Sequence, residues 1–280
     1  MYINPKKKGY KLKVAIPDIV KKNLEENRDG QASVYYVCAV NNQDIFWRNA
    51  GLSCFDKTGT KIDDHWVPVL NSDKFAGMGD KYAYGMEILR KRFDLKLYDI
   101  VVFLHEDLKI DRDETEKVLR KTFWDHQDLG VLGIYGSELW QGGGWWTTSR
   151  QNFSHGQIIQ NLPDGKRFVM KDNAGFFDNL VCVDGCFLAS TVRNIDEVGW
   201  KGNVTGWHQY DNDFCFRTLV QTDRKIGVCE LMTEHLSEGP LNDEWSRQSN
   251  NLAMWFKGLG IDLPITQERI YGWKEQRKKA

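Results

Sequence analysis

The sequence predicts an α/β protein with an open, mostly parallel sheet flanked by helices. Three segments, at residues 33–40, 66–70 and 98–104, are apolar and largely lack polar alternation, as is typical of strands buried on both faces. Helical segments separate them, and strands that alternate with helices favour right-handed βαβ crossovers. Hydrophobic residues make up 41% of the 280 residues, so the chain can bury a sizeable core.

The other elements continue this alternation. Residues 1–30 are basic and end in a turn signal, so they are expected to form an N-terminal extension with one short helix at residues 19–26. The main domain is expected at residues 31–258, followed by a charged helix end or frayed tail at 259–280. Residues 137–178 are glycine-rich and predict an irregular loop that contacts substrate. Helices are also predicted at residues 45–53, 81–93, 112–123, 206–220 and 242–256, and strands at 130–135, 180–189 and 225–232.

Charge, hydropathy and cysteine usage exclude several classes of protein. With 38 basic and 39 acidic residues the net charge is −1, which argues against nucleic acid as a partner. The longest purely apolar runs, such as residues 100–104, fall far short of the ~20 residues of a membrane span. Pro17 and Asp18 interrupt the apolar stretch that follows Lys6–Lys8, so a signal peptide is not expected. Six cysteines without a C-x-x-C pair indicate a reducing environment, and the protein is predicted to be cytoplasmic.

Tryptophan is unusually frequent, with eleven residues in the chain. Three of them lie in the glycine-rich segment, at Trp140, Trp145 and Trp146. Indole rings stack on sugars and bases, which favours such a ligand, although packing in the core also explains many tryptophans.

Polar residues at strand ends are the first candidates for chemistry, because ligands of open α/β sheets bind outside the carboxyl ends of the strands. His105, Glu106 and Asp107 directly follow the strand at 98–104, and they can hold a divalent cation or a ribose hydroxyl, or form a solvated loop. His235 follows the strand at 225–232 and is either a structural histidine or a metal ligand.

A second group of acidic residues lies later in the chain. Asp213 and Arg217 have the i,i+4 spacing of a helical ion pair, which leaves Asp211 available as a general base, unless both acids only favour the helix dipole. The Asp184-Gly185 pair inside an apolar run indicates either a close backbone approach to a ligand or a bulge.

Together these motifs resemble bacterial family 2-like glycosyltransferases of the GT-A fold. The resemblance extends over residues 33–257 and is closest to a subgroup with a His-x-Asp motif and a later Tyr-Asp-x-Asp-Phe motif, which here begin at His105 and Tyr210. It implies a hexosyltransferase-like enzyme that moves a sugar from a nucleoside diphosphate, with a UDP-sugar favoured, to an acceptor hydroxyl. The acceptor is expected to be a saccharide or a lipid-linked saccharide, in surface-polysaccharide synthesis, with inversion at the anomeric carbon.

The resemblance also implies roles for particular residues. Asp107 and His235 match metal-ligand positions for Mn²⁺ or Mg²⁺, and His105 stands where the family usually has a ribose-binding carboxylate. Asp211 matches the catalytic base, with Tyr210 in place of the usual preceding glutamate. The donor-binding residues are expected to be Val40, Asn41, Asn71, His105, Glu106, Asp107 and Asp184, and the acceptor or loop residues Trp145, Trp146, Gly185, Trp207 and Asp213.

Three alternatives compete with this function. Because His105 departs from the usual carboxylate, a relative that binds a nucleotide sugar or carbohydrate without transferring it remains open. A tryptophan-rich sugar-binding module would be an all-β sandwich, which the buried strands and helices argue against. A Rossmann dehydrogenase is excluded because no G-x-G-x-x-G follows the first strand. The charged termini are either solvated or lie peripherally at the inner membrane face.

Overall fold

The computed structural model describes residues 32–54, 65–143, 153–161, 165–173, 175–236 and 242–279. The N-terminal extension predicted at residues 1–30, with its helix at 19–26, lies outside them, as do Trp145 and Trp146. No helix in the described part of the chain has the length and apolar character needed to cross a membrane.

A seven-stranded sheet forms the centre of the fold, with the strand order β2-β1-β3-β11-β5-β12-β9. Strands β2, β1, β3, β5 and β12 run in one direction, and β11 and β9 run in the other. The predicted fold class, α/β with a mostly parallel sheet flanked by helices, is therefore confirmed. The strands are β1 (Val34–Val40), β2 (Trp66–Leu70), β3 (Ile100–His105), β5 (Leu129–Gly133), β9 (Phe177–Leu180), β11 (Phe187–Thr191) and β12 (Lys225–Val228).

A second, smaller sheet packs beside the first and has the order β10-β6-β7-β13-β4, with β8 also paired to β7. Its position matters for function because β4 follows β3 after only two residues, so the chain passes from one sheet to the other. Its strands are β4 (Leu108–Lys109), β6 (Tyr135–Ser137), β7 (Ser154–Asn161), β8 (Arg167–Asp172), β10 (Cys182–Val183) and β13 (Glu234–His235).

Helices cover the main sheet and most begin at a side chain that caps them. Asn42, Asp111, Thr191 and Asn242 each accept a hydrogen bond from a backbone amide in the first turn of the helix that follows. The helices are α1 (Gln43–Arg48), α2 (Met78–Arg92), α3 (Arg112–Asp125), α4 (Val192–Val198), α5 (Tyr210–Gln221), α6 (Asp243–Leu259) and α7 (Gln267–Lys279).

The core lies where the central strands meet these helices. All seven residues of β1 are buried, as the continuous apolar run predicted. Tyr36 stacks on Trp66 of the adjacent strand with ring centroids 4.4 Å apart. Trp140, Phe216 and Phe256 form an aromatic cluster between the second sheet, α5 and α6, with centroids 4.9–6.3 Å apart. Trp140 is therefore a core residue, and of the two explanations for the tryptophans, packing in the core applies to it.

Five predicted elements differ from the structure. The strand predicted at 130–135 is divided between β5 of the main sheet and β6 of the second sheet. Residues 137–178 are not one irregular loop, because β7, β8 and the start of β9 lie there. The predicted strand at 180–189 is divided among β9, β10 and β11, since Asp184 Oδ1 accepts from Cys186 N at 2.8 Å and turns the chain. The predicted helix at 206–220 begins only at Tyr210, and that at 45–53 ends at Arg48, before a 3₁₀ turn over Ala50–Cys54.

The segments at 225–232 and 259–280 also refine the prediction. Strand β12 ends at Val228, four residues earlier than expected. Residues 267–279 form helix α7, in which Ile270 is fully buried and Gln267 Nε2 donates to Leu180 O at 2.6 Å. These contacts attach α7 to the edge strand β9.

Candidate functional site

The candidate site lies at the carboxyl end of β3, where the chain crosses between the two sheets. His105 is the last residue of β3, and β4 begins at Leu108. Strand β13 pairs antiparallel to β4 with His235 opposite Leu108. This register brings His235, from 130 residues later in the chain, beside the His105-Glu106-Asp107 segment.

His105, Asp107 and His235 form a cluster that can hold a metal ion. One nitrogen or oxygen atom of each lies within 4.8 Å of the others. His235 Nε2 is 3.4 Å from Asp107 Oδ1, and these two residues are only 7% and 8% exposed. Two imidazoles and a carboxylate form a donor set suited to a first-row divalent ion such as Mn²⁺.

The orientation of His235 supports the same conclusion. Its Nδ1 lies 3.1 Å from the side-chain oxygen of Gln160 on β7, which can only accept a hydrogen bond. Nδ1 therefore carries the proton, and Nε2 is the atom that faces the Asp107 carboxylate. A histidine ligand held in this way by an outer hydrogen bond is typical of metal sites. Gln160 escaped the sequence analysis because a glutamine in a strand carries no motif.

Burial lowers the pKa of His105 below its usual range, although the nearby Asp107 carboxylate opposes this effect. Its Nε2 lies 2.5 Å from the Tyr210 hydroxyl, and its backbone N–H donates to Cys186 O at 3.1 Å. A neutral imidazole is the form that binds a metal.

Glu106 has a different role from its two neighbours. Its carboxylate accepts from the backbone N–H groups of Asn41 and Asn42, at 2.6 and 2.7 Å, and so ties the loop after β1 to the end of β3. Val40, Asn41 and Glu106, all predicted to bind the donor, are thus brought together at one edge of the sheet.

Lys81 on α2 contacts the end of β1 at this part of the sheet. The sequence analysis did not identify it. Its fully buried side chain donates to Val40 O at 3.1 Å and to Asn41 Oδ1 at 2.6 Å. Desolvation lowers its pKa to about 8, while the Glu106 carboxylate favours the charged form. The Lys81 Nζ is 5.4 Å from the centre of the Trp207 ring, so it also connects this edge to the segment before α5.

Asp211 lies in the first turn of α5 and points to the same end of the sheet. Its Oδ2 accepts from Gly185 N at 3.0 Å, and its Oδ1 accepts from Asn212 N at 2.9 Å. Desolvation raises its pKa to about 7, with a further contribution from the Asp184 carboxylate, while the backbone hydrogen bonds oppose the shift. A carboxylate with a pKa near neutrality is suited to accept a proton.

Asp213 faces another direction although it is only two residues away. It is 1% exposed, and its Oδ2 pairs with Arg217 Nε at 2.9 Å, as the i,i+4 spacing predicted. Its Oδ1 accepts from Asn203 Nδ2 at 2.8 Å. The structure therefore does not bring Asp213 together with Asp211, and its charge is compensated within the fold.

Over residues 80–249, more than half of the chain, the sequence matches the model of a glycosyltransferase-like family. This chain belongs to that family. The family match agrees with the resemblance to glycosyltransferases, and the observed sheet is of the expected α/β type. No curated protein is a significant match to the sequence.

Two solved structures resemble this glycosyltransferase-like protein at TM-scores below 0.5. One is the crystal structure of GalNAc-T7 with UDP, GalNAc and Mn²⁺, with a TM-score of 0.49 and 7% identity over 88% of this chain. That match covers 55% of GalNAc-T7, so this chain spans about half of its length. The other is A197 from STIV, with a TM-score of 0.40 and 10% identity over 74% of this chain and 87% of A197. The family assignment therefore rests on the sequence match.

The other predicted residues lie in different positions relative to the site. Asp184 and Gly185 lie between β10 and β11, next to Asp211. Asn71 is exposed just beyond β2, the strand beside β1. Trp207 is half-buried, and its backbone N–H donates to Glu244 Oε1 at 2.7 Å.

Gln209 immediately precedes α5, two residues before Asp211, and carries backbone strain. Its φ of 64° is in the left-handed region, which costs a residue other than glycine about 1–2 kcal/mol. Its side-chain oxygen accepts from Asn212 Nδ2 at 2.6 Å, and its backbone O accepts from Asp213 N at 2.9 Å. Such strain concentrates at functional sites, but no sequence pattern predicts it for a glutamine.

Proposed function

We propose that this glycosyltransferase-like protein transfers a sugar, expected to be a hexose, from a nucleoside diphosphate to an acceptor hydroxyl with inversion. The observation that carries the proposal is the placement of two unlike groups at one end of the sheet. One is the His105, Asp107 and His235 cluster, and the other is Asp211 with its raised pKa. His105 contacts the Tyr210 hydroxyl, which donates to Gly185 O, and Gly185 N in turn donates to Asp211. The two groups are therefore adjacent.

The cluster fits a divalent cation, Mn²⁺ or Mg²⁺. His105, Asp107 and His235 would hold it, and Gln160 would keep the His235 imidazole in the orientation that this requires. When bound, such a cation stabilises the negative charge that develops on the leaving diphosphate. The imidazole content favours Mn²⁺ over Mg²⁺, which prefers oxygen ligands.

Asp211 would act as the general base. The acceptor hydroxyl must lose a proton as it attacks the anomeric carbon, and a carboxylate with a pKa of about 7 accepts a proton near neutral pH. The Gly185 N–H holds Oδ2 in place at 3.0 Å. A single displacement with one base gives inversion.

The donor and acceptor would occupy opposite sides of this centre. The nucleotide side is assigned to Val40, Asn41, Glu106 and Asp184, with Asn71 at the edge, and a UDP-sugar is the favoured donor. The hydrogen bonds from the Asn41 and Asn42 amides to the Glu106 carboxylate tie the loop after β1 to this end of the sheet. The acceptor side is assigned to Gly185 and Trp207, and also to Trp145 and Trp146, which lie outside the described residues, for a saccharide or lipid-linked saccharide in surface-polysaccharide synthesis at the cytoplasmic face of the membrane. Asp213, which the sequence also suggested for this side, is buried in its pair with Arg217 and is not assigned to it.

A second candidate function is binding of a nucleotide sugar without transfer. It is favoured by His105, a neutral imidazole engaged with Tyr210 where relatives usually carry a carboxylate. The two functions differ in turnover and not in donor binding.

Calorimetric binding of UDP, GDP and their sugars, with and without Mn²⁺, tests the proposal. We expect one nucleotide to bind tightly only with Mn²⁺, and this binding to be lost in Asp107→Ala. Asp113→Ala on the exposed face of α3 is the matched control and should bind as the wild type does. Absence of nucleotide binding under either condition would contradict both functions. Binding without release of UDP in the presence of a panel of saccharide acceptors would favour the binding protein.

A further inference from the structure

Tyr210 lies between the proposed metal ligand His105 and the backbone of Gly185. Its hydroxyl oxygen is 2.5 Å from His105 Nε2 and 3.2 Å from Gly185 O, and the tyrosine is buried. Tyr210 is the first residue of α5, and its ring packs edge-on against that of Tyr82, with the ring centroids 5.7 Å apart. The hydroxyl is therefore held between two defined partners.

The protons in this chain of contacts can be assigned. A carbonyl oxygen only accepts, and a phenol has a single proton to donate. When Tyr210 donates to Gly185 O, its oxygen is left to accept, and His105 Nε2 must supply the proton. This arrangement satisfies all three groups, whereas donation to His105 would leave Gly185 O without this donor.

We propose that Tyr210 is a positioning residue that holds His105 in the Nε2–H tautomer and so keeps the Nδ1 lone pair for the divalent cation. The inference rests on the proposed function, because it requires the metal site described above. Gln160 holds His235 in the opposite tautomer, with Nδ1 protonated and Nε2 facing Asp107. The two histidines are thus set by two different outer residues to present lone pairs to one cluster.

Gly185 extends the arrangement to the proposed base. The Gly185 C=O accepts from Tyr210, and the Gly185 N–H donates to Asp211 Oδ2 at 3.0 Å. A Cβ atom at this position would lie 2.5 Å from the Tyr210 hydroxyl oxygen and 2.9 Å from Asp211 Oδ2. Only glycine permits both approaches, so one residue joins the metal ligand to the base.

Two measurements on the full chain test this inference. The first is long-range ¹H–¹⁵N correlation NMR of ¹⁵N-histidine-labelled protein without added metal, with His105→Gln used to assign the His105 signals. We expect the wild type to show His105 protonated at Nε2 and Tyr210→Phe to lose this single tautomer. A wild-type His105 protonated at Nδ1 would overturn the inference without requiring any variant to fold.

The second measurement is Mn²⁺ affinity by calorimetry. Loss of an outer hydrogen bond to a metal ligand weakens metal binding by about 10–100-fold, and we expect this for Tyr210→Phe. Tyr135→Phe removes another buried tyrosine hydroxyl, which is bonded to Asp172, and should leave Mn²⁺ affinity unchanged. A folded Tyr210→Phe protein with wild-type affinity would overturn the inference and leave the metal site intact. A wild type that binds no Mn²⁺ would instead contradict the proposed metal site, and the inference with it.

Discussion

Helix α5 begins at the candidate site and ends beside a second group of polar side chains, at the opposite end of the main sheet, in which all but the exposed Glu197 are buried. In that group Asn194 donates to Ser190 Oγ at 3.0 Å and to Thr218 Oγ1 at 3.2 Å. Ser190 in turn donates to Gly130 O at 2.7 Å. Arg224 meets both carboxylate oxygens of Glu197, at 2.7 and 2.8 Å, and its guanidinium lowers the pKa of Glu197.

The pKa of the carboxylate at each end of α5 is shifted in the opposite direction. Glu197 has an arginine as its partner, and its charged form is favoured. Asp211 has backbone amides as its hydrogen-bond donors and another carboxylate nearby, and burial raises its pKa to about 7. A fold that only needed stability would have no use for the second arrangement, since burying a charge without an opposite charge is costly. The contrast supports the proposed role of the start of α5 in catalysis.

The largest expected effect is on activity at the functional end. Asp211→Asn keeps the acceptor oxygen for the Gly185 N–H but cannot take up a proton, so the transfer rate should fall by about 10²–10⁴-fold. Donor binding in the presence of Mn²⁺ should persist. Glu197→Gln, at the other end of α5, is the control and should retain near wild-type activity. Equal activity of Asp211→Asn and wild type, measured as release of the nucleoside diphosphate, would refute the assignment of the base.

Substitution of Arg217 in the middle of α5 should lower the free energy of unfolding substantially. Arg217→Met leaves the Asp213 carboxylate buried without its cation, and breaking such a pair costs about 3–5 kcal/mol. Denaturant unfolding measures this loss. Arg193→Met removes an exposed partner of Glu197 and should cost less than about 1 kcal/mol. Similar losses in the two variants would show that the Asp213 pair does not have the structural role assigned to it.

A further effect is expected on the pH dependence of stability. Because the folded pKa of Asp211, about 7, lies above its ordinary value of 3.8, the folded state binds the proton more tightly than the unfolded state. The stabilisation from the protonated form is complete below pH 3.8 and is lost as the pH rises to about 7. Asp211→Asn should therefore have a Tm close to that of the wild type near pH 4 and a higher Tm at pH 8.

Comparison of the two proteins by thermal unfolding across this range isolates the one carboxylate, since the other titrating groups are shared. In the wild type, the transfer rate should rise with pH through about 7 as the base ionises. A Tm difference that does not change between pH 4 and pH 8 would contradict the raised pKa of Asp211.

Much of the fold could be predicted from the sequence because the central strands are buried on both faces. Strand β2 has the predicted bounds, and β1 and β3 differ from the predicted segments by one or two residues. Strands β7 and β8 escaped prediction. In β7, Ser154, Gln157 and Gln160 are buried although they are polar, so the strand has no apolar pattern. The turn within the apolar run at 180–189 could not be predicted. The run is continuous in sequence, but β10 belongs to the second sheet and β11 to the main sheet.

The candidate site shows the same division. The types and order of His105, Asp107, Asp211 and His235 were enough to single them out as candidates, because each stands after a recognisable strand or near the start of a helix. Their roles stay predictions. The hydrogen bonds of Gln160, Tyr210 and Lys81 with the site could not be predicted, since each joins residues at least 40 positions apart.

Burial pattern and residue type are local properties, and they determined the α/β class, the family and the candidate ligands and base. The direction in which each side chain points, its proton and its pKa depend on neighbours that only the packing of two sheets and α5 brings together. Asp211 and Asp213 illustrate the point, because they are alike in sequence and share the first turn of one helix. In the folded protein Asp213 is paired with Arg217, whereas Asp211 is desolvated and has a pKa of about 7.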